Sequence, residues 1–157
     1  MIVGKQFVLL CTLVISFLSS FASKEIDKVS FQYFNSEQLT RLPEFFSGKE
    51  YTGNRIFCRS NLEREGLYFS FPLNQEFLQL PSDSKITLSV IRSGQKEAEI
   101  FPFKLPDQRS GMKYLFLGLT GKDWPIKEAK PIAWQIEIKN LSDELLFRKK
   151  SFLWSHD

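Results

Sequence analysis

Between Ile132 and Lys139 the chain reads IAWQIEIK, so Trp134, Ile136 and Ile138 alternate with Gln135, Glu137 and Lys139. A period of two over that length fits an extended strand with one buried and one wet face, because successive side chains of a strand point to opposite sides. The period recurs. KITLSVIR (Lys85–Arg92) sets Ile86, Leu88 and Val90 against Thr87 and Ser89, LYFSFPL (Leu67–Leu73) groups Leu67, Phe69 and Phe71, and NRIFCRS (Asn54–Ser60) groups Ile56 with Cys58. About seven such runs, separated by polar turns, predict an all-β chain: an antiparallel β-sandwich, immunoglobulin-like in class.

The remaining runs refine that expectation. Ser93-Gly94 joins KITLSVIR to EIFPFKL (Glu99–Leu105) as a hairpin, and Pro102 makes the second run an edge or bulged strand because proline cannot donate to a ladder. KYLFLGL (Lys113–Leu119) is apolar on both faces and is expected to be the most buried strand. LLFRKKSFLW (Leu145–Trp154) returns after the NLSDE turn. Its lysines suit an edge, and the inward set switches parity there, as a bulge or a strand that changes sheets would produce. Near the start, Asn35 and Gln38 form a capping-box pair ahead of Leu39 and Leu42, which predicts a short helical segment interrupted at Pro43 and closed by Gly48.

Residues 1–22 read as an export signal. Lys5 precedes the apolar core FVLLCTLVISFL (Phe7–Leu18), and Ser20 and Ala22 supply the small residues before a cut at Ser23. The core falls short of the roughly 20 apolar residues that a membrane span needs, so attachment through an uncleaved signal is the disfavoured reading. Residues 23–157 form one expected domain, exported to the periplasm or the medium. Loss of Lys5 from 21 basic residues leaves near balance with 18 acidic ones, which argues against nucleic acid as a partner. Of two cysteines, Cys11 departs with the signal. Cys58 then has no internal partner and is expected to be buried as a small hydrophobe, or else to link chains. The fold must rest on its core, for which 16 Phe and 3 Trp supply the bulk.

LFLGLTGKDWP (Leu115–Pro125) raises the question of a phosphate loop. That loop requires four residues between its glycines, a hydroxyl after the lysine and a helix beyond. Here two residues separate Gly118 from Gly121, Asp123 follows Lys122, and Pro125 and Pro131 bracket the next segment. The stretch therefore reads as a turn, with positive φ at Gly118 and Gly121 and with Asp123 bonding nearby backbone. Asp123, Trp124 and Pro125 form the candidate contact site, a stiff corner whose Trp124 either packs over the sandwich end or meets a ligand.

No catalytic, cofactor or metal set emerges. His156 is the sole histidine and lies next to the end of the chain, no Cys/His spacing suits a metal, and Glu97 and Glu99 lie two apart as ordinary edge charges. Arg59 and the charges of LEREG (Leu62–Gly66) read as ion pairs around a turn. The expected function is a non-catalytic binding or interaction module for a protein or glycan partner. The alternatives are a glycan-directed hydrolase with unidentified carboxylates and an assembly subunit, with no oligomeric state specified.

Overall fold

A computed structural model describes residues 28–154, so the expected leader at 1–22 and His156 lie outside the described residues. The chain forms β1 (Ser30–Phe34), α1 (Ser36–Leu39), α2 (Leu42–Ser47), β2 (Arg55–Arg59), β3 (Gly66–Pro72), α3 (Gln75–Leu78), β4 (Lys85–Arg92), β5 (Glu99–Lys104), β6 (Tyr114–Thr120), a 3-10 turn at Gly121–Asp123, β7 (Pro131–Lys139) and β8 (Leu145–Lys150). The strands make two four-stranded sheets, ordered β1-β3-β6-β2 and β5-β4-β7-β8. This is an all-β sandwich with a few short helices.

The alternation in the sequence becomes the two inner faces. Leu67, Phe69 and Phe71 of β3 and Leu115, Leu117 and Leu119 of β6 face Ile86, Leu88 and Val90 of β4 and Trp134, Ile136 and Ile138 of β7 in one core. The Phe69 and Trp134 rings meet across the sheets at 5.9 Å, nearly edge to face. As its two-sided apolarity predicts, β6 is internal, paired to β3 on one side and β2 on the other. Pro102 stands on the edge strand β5, whose only described pairing is with β4.

Eight strands are described where the pattern suggests about seven, and one pairing departs from the antiparallel expectation. β2 runs parallel to β6, with Ile56 opposite Leu115 and Cys58 opposite Leu117. The pairings also make β1 and β2 run the same way on opposite edges of their sheet, so residues 35–54 are a crossover. A parallel return needs a dozen or more residues and is commonly helical, which explains why α1 and α2 sit here. Asn35 Oδ1 accepts from the Gln38 amide at 2.9 Å while Gln38 Oε1 accepts from the Asn35 amide at 3.0 Å, which completes the capping box. Pro43 falls in the first turn of α2, and Gly48 ends it at φ +65°.

Two further details differ from expectation. α3 follows a cap in which the Asn74 side chain accepts from the Phe77 amide at 2.8 Å, so that Phe77 enters the core. β8 stops at Lys150 instead of running to Trp154. Its register shift lies at Ile138/Lys139 rather than beside the lysines, and a turn with the Trp154 amide bonded to the Ser151 carbonyl at 3.1 Å brings Trp154 back into cover. Among the described residues no helix is long and apolar enough to cross a membrane.

Candidate functional site

The LFLGLTGKDWP stretch divides between strand and turn. Gly121 has φ +55° and opens the 3-10 turn, as expected for the turn reading. Gly118 does not: it lies inside β6, opposite Tyr68 of β3, and its lack of a side chain makes room for that ring. Asp123 bonds the side chain of Asn61 at 2.6 Å instead of its own backbone. Asn61 also reaches the Thr120 carbonyl at 2.8 Å, and the Thr120 amide donates to Ser60 Oγ at 3.0 Å, so the loop after β2 and the end of β6 are tied together.

Trp124 is 1 % exposed and belongs to the core. Arg92 lies over its ring, 4.5 Å from the centroid, donating to Glu99 at 2.5 Å and also to the Asp123 carbonyl. Of the candidate contact residues, Trp124 is therefore inside, Asp123 is half-buried and bonded, and only Pro125 is exposed. The Arg92 bond also removes Glu99 from the Glu97–Glu99 pair, leaving Glu97 on the exposed hairpin. Cys58 is half-buried, with Sγ 3.8 Å from the Lys104 carbonyl, and burial pushes its thiol up to about 11.

A second, larger constellation lies on the outer face of the first sheet, under the crossover. Phe57 of β2 stacks on Phe116 of β6 at 4.8 Å, while Tyr68 meets Phe57 edge-on at 5.7 Å and Phe34 at 5.8 Å. The Tyr68 ring is fully covered. Its hydroxyl donates to the Arg64 carbonyl at 2.6 Å and accepts from Arg59 Nε at 2.8 Å. Arg59 then grips Glu50 through both terminal nitrogens, and Arg64 donates to Glu44 at 2.8 Å and to the Leu39 carbonyl at 3.0 Å. These forked pairs fasten the crossover to the sheet.

The electrostatics follow from the pairing. The Arg64 hydrogen bond holds the Glu44 carboxyl near 2, and the Arg59 hydrogen bond lowers Glu50 as well. Tyr33 is pushed up to about 12, first by burial and then by its bond to Glu65 at 2.8 Å. Carboxylates clamped in the ionised form suit pins better than proton donors. Arg59 and Arg64 of LEREG do form ion pairs, but their partners Glu44 and Glu50 lie in the crossover, which no local spacing reveals; Glu65 accepts from Tyr33 instead.

The outward side of the crossover is its least expected feature. Glu44 turns α2 toward the protein body, while Leu42, Phe45 and Phe46, spaced for one helical face, are 75 %, 75 % and 90 % exposed. The helix is thus inverted: it is pinned by its polar side and presents its apolar side to solvent. Arg41 and Lys49 flank it, both exposed. Arg55 of β2 is half-buried, its Nε donating to the Thr52 carbonyl at 3.2 Å and its guanidinium 5.4 Å from the Phe57 ring centroid. No carboxylate among the described residues pairs with Arg41, Lys49 or Arg55.

The sheet edges differ in a related way. β2 carries Arg55 and Arg59, β5 carries Pro102 and Lys104, and β8 carries Arg148, Lys149 and Lys150, all residues that discourage pairing with another chain. β1, reading SFQYF, carries none, pairs only with β3 among the described strands, and leaves Phe31 exposed. An open depression of about 540 Å³ beside β5 is lined by Asp83, Lys85, Pro102, Phe103, Lys104 and Leu141, with a single acid and no base–nucleophile pair.

Among the described residues no three His, Cys, Asp or Glu side chains converge to hold a metal ion. Compared with known proteins, the chain matches no family model, no curated sequence and no solved structure at a significant level.

Proposed function

We propose that the chain is an exported, non-catalytic interaction module that meets a protein partner along the free edge of β1. One observation carries the reading: β1 alone among the four edge strands lacks proline and charge, and no described strand pairs with its outer edge, which suits it to accept an added strand. Export rests on the leader read at residues 1–22. A non-catalytic role is supported by the arginine clamps on Glu44, Glu50 and Glu99. We read the two-sheet sandwich as immunoglobulin-like in class, a reading supported by its two facing four-stranded sheets and opposed by the parallel β2–β6 pair.

A glycan partner would draw on exposed rings. The buried Trp124, Trp134 and Trp154 do not favour it, although Tyr51 and Tyr114 remain on the surface. A photo-crosslinking residue placed at Gln32 tests the β1 reading in producing cells. A discrete protein adduct at Gln32, absent when the same residue is placed at Ile100 of β5, is expected. No adduct at Gln32, or equal adducts at both positions, would overturn the reading.

A further inference from the structure

The inverted helix α2 raises a question that the β1 edge does not answer. A six-residue helix in water normally hides its apolar face, and here the molecule spends two arginine–carboxylate clamps to hold that face outward. We propose that the outward face of α2 seats the protein on an anionic lipid surface, with Leu42, Phe45 and Phe46 entering the headgroup–acyl boundary and Arg41 and Lys49 meeting the lipid phosphates.

Three observations select that occupant. The first is charge: Glu44 and Glu50, the acids within and just after α2, are neutralised inward by Arg64 and Arg59 and the crossover's other acid, Glu37, lies on α1, whereas Arg41 and Lys49 at the two ends of α2 are exposed with no acidic partner among the described residues. Phenylalanines flanked by unpaired arginine and lysine are the pattern of an interfacial helix on acidic lipid. The second is shape. Phe46 is 90 % exposed and Leu42 and Phe45 are 75 % exposed, so the three side chains form a ridge. A bilayer needs no matching cavity to receive a ridge, whereas a protein partner would need a dedicated pocket. The third concerns a second copy of this chain. A two-fold contact through α2 would bring Arg41 and Lys49 of both copies into one interface, and gathering these like charges opposes that pairing. The proposal departs from the expectation that the membrane is met only through an uncleaved signal, and it does not depend on the β1 reading.

The test uses the chain from Ser23 onward, which contains every described residue and lacks the leader's apolar core. Its partition is measured by co-sedimentation with vesicles of phosphatidylcholine alone and of phosphatidylcholine with about one third phosphatidylglycerol, where Arg41 and Lys49 should favour the acidic vesicles by about tenfold or more. A Phe46→Trp variant should show a blue shift of emission on the acidic vesicles only. The Phe45→Ser/Phe46→Ser double variant should lose binding by about tenfold or more. Because both side chains are exposed, its circular dichroism and urea midpoint should match the parent. An Arg41→Gln/Lys49→Gln variant should lose the preference for acidic lipid. Absence of partition by the folded parent would overturn the proposal, as would binding that survives the double Phe variant. Vesicle-independent dimerisation abolished by the double Phe variant would assign the face to a second copy, and a protein crosslinked at Phe46 in cells without vesicle binding would assign it to a protein pocket. Either result would overturn the lipid assignment, and neither bears on crosslinking at Gln32.

Discussion

The backbone of Gly118 passes so close beneath the Tyr68 ring that a methyl group on it would overlap Cε1 and lie 2.9 Å from Cδ1 and Cζ. The two residues are direct partners in the β3–β6 ladder, and the ring is fully buried with its hydroxyl held by Arg59 and Arg64. The ring therefore cannot swing aside without breaking those bonds. Gly118→Ala is expected to destabilise the protein by about 1–3 kcal/mol, as overpacking does. Urea unfolding checks it, and the Gly118→Ala/Tyr68→Leu double variant should lose less than the sum of the two single variants, revealing the coupling.

The crossover clamps predict an acid-sensitive fold. Glu44 is held near 2, against 4.5 for a free glutamate, and Glu50 is lowered too, so in acid the unfolded chain binds more protons than the folded one. Their contribution is present above the ordinary carboxylate value and is lost as pH falls through the folded value. Urea midpoints should decline between about pH 5 and pH 2, and Glu44→Gln should flatten that decline. An unchanged acid slope in the variant would show that the Arg64–Glu44 pair is not its source.

Cys58 should be a slow thiol. With its ionisation pushed to about 11 by burial, against 9 for a free thiol, its thiolate is scarce at neutral pH. Reaction with a disulfide reagent at pH 8 is expected to be about 100-fold slower in the native protein than in urea, the ratio that a two-unit rise implies. Rapid native labelling would instead show that the strand pair β2–β6 opens readily at its edge.

Arg92 should matter more than a surface arginine. It covers the Trp124 ring and bonds both Glu99 and the Asp123 carbonyl. Arg92→Met keeps much of the covering bulk but removes the charge and both bonds, and should cost about 2 kcal/mol. Tryptophan emission should shift to the red if water then reaches the ring, which a change in fluorescence spectrum reads directly.

The legible part of this fold was its inner faces. Alternation in IAWQIEIK and KITLSVIR placed Ile136, Ile138, Ile86 and Leu88 in the core, the two-sided apolarity of KYLFLGL made β6 internal, and Asn35 with Gln38 fixed the first helix start. Those signals are local, so one sequence carries them. Strand order is not local. The parallel β2–β6 pair, Glu44 reaching Arg64 and Glu50 reaching Arg59 exist only once the crossover has been laid over the sheet. Gly118 was misread for the same reason: a glycine near a turn suggests positive φ, whereas its cause here is a ring on the neighbouring strand. The outward face of α2 escaped because Leu42, Phe45 and Phe46 carry the same letters as a buried stripe; only burial tells the two apart.

The order β1-β3-β6-β2 also dictates a sequence of events in time. β2 and β3 are consecutive in the chain, yet they are held apart by β6, which pairs with both. Until Tyr114–Thr120 arrives, β3 can pair with β1 alone, and β2 has no described partner at all. Closure of the first sheet must therefore wait for a strand that enters from beyond the β4–β5 hairpin, and such non-local pairing is the slow kind. Until β6 docks, the edge of β3 that it covers stays unpaired, and that exposure ends only when Tyr114–Thr120 arrives with β2 on its other side.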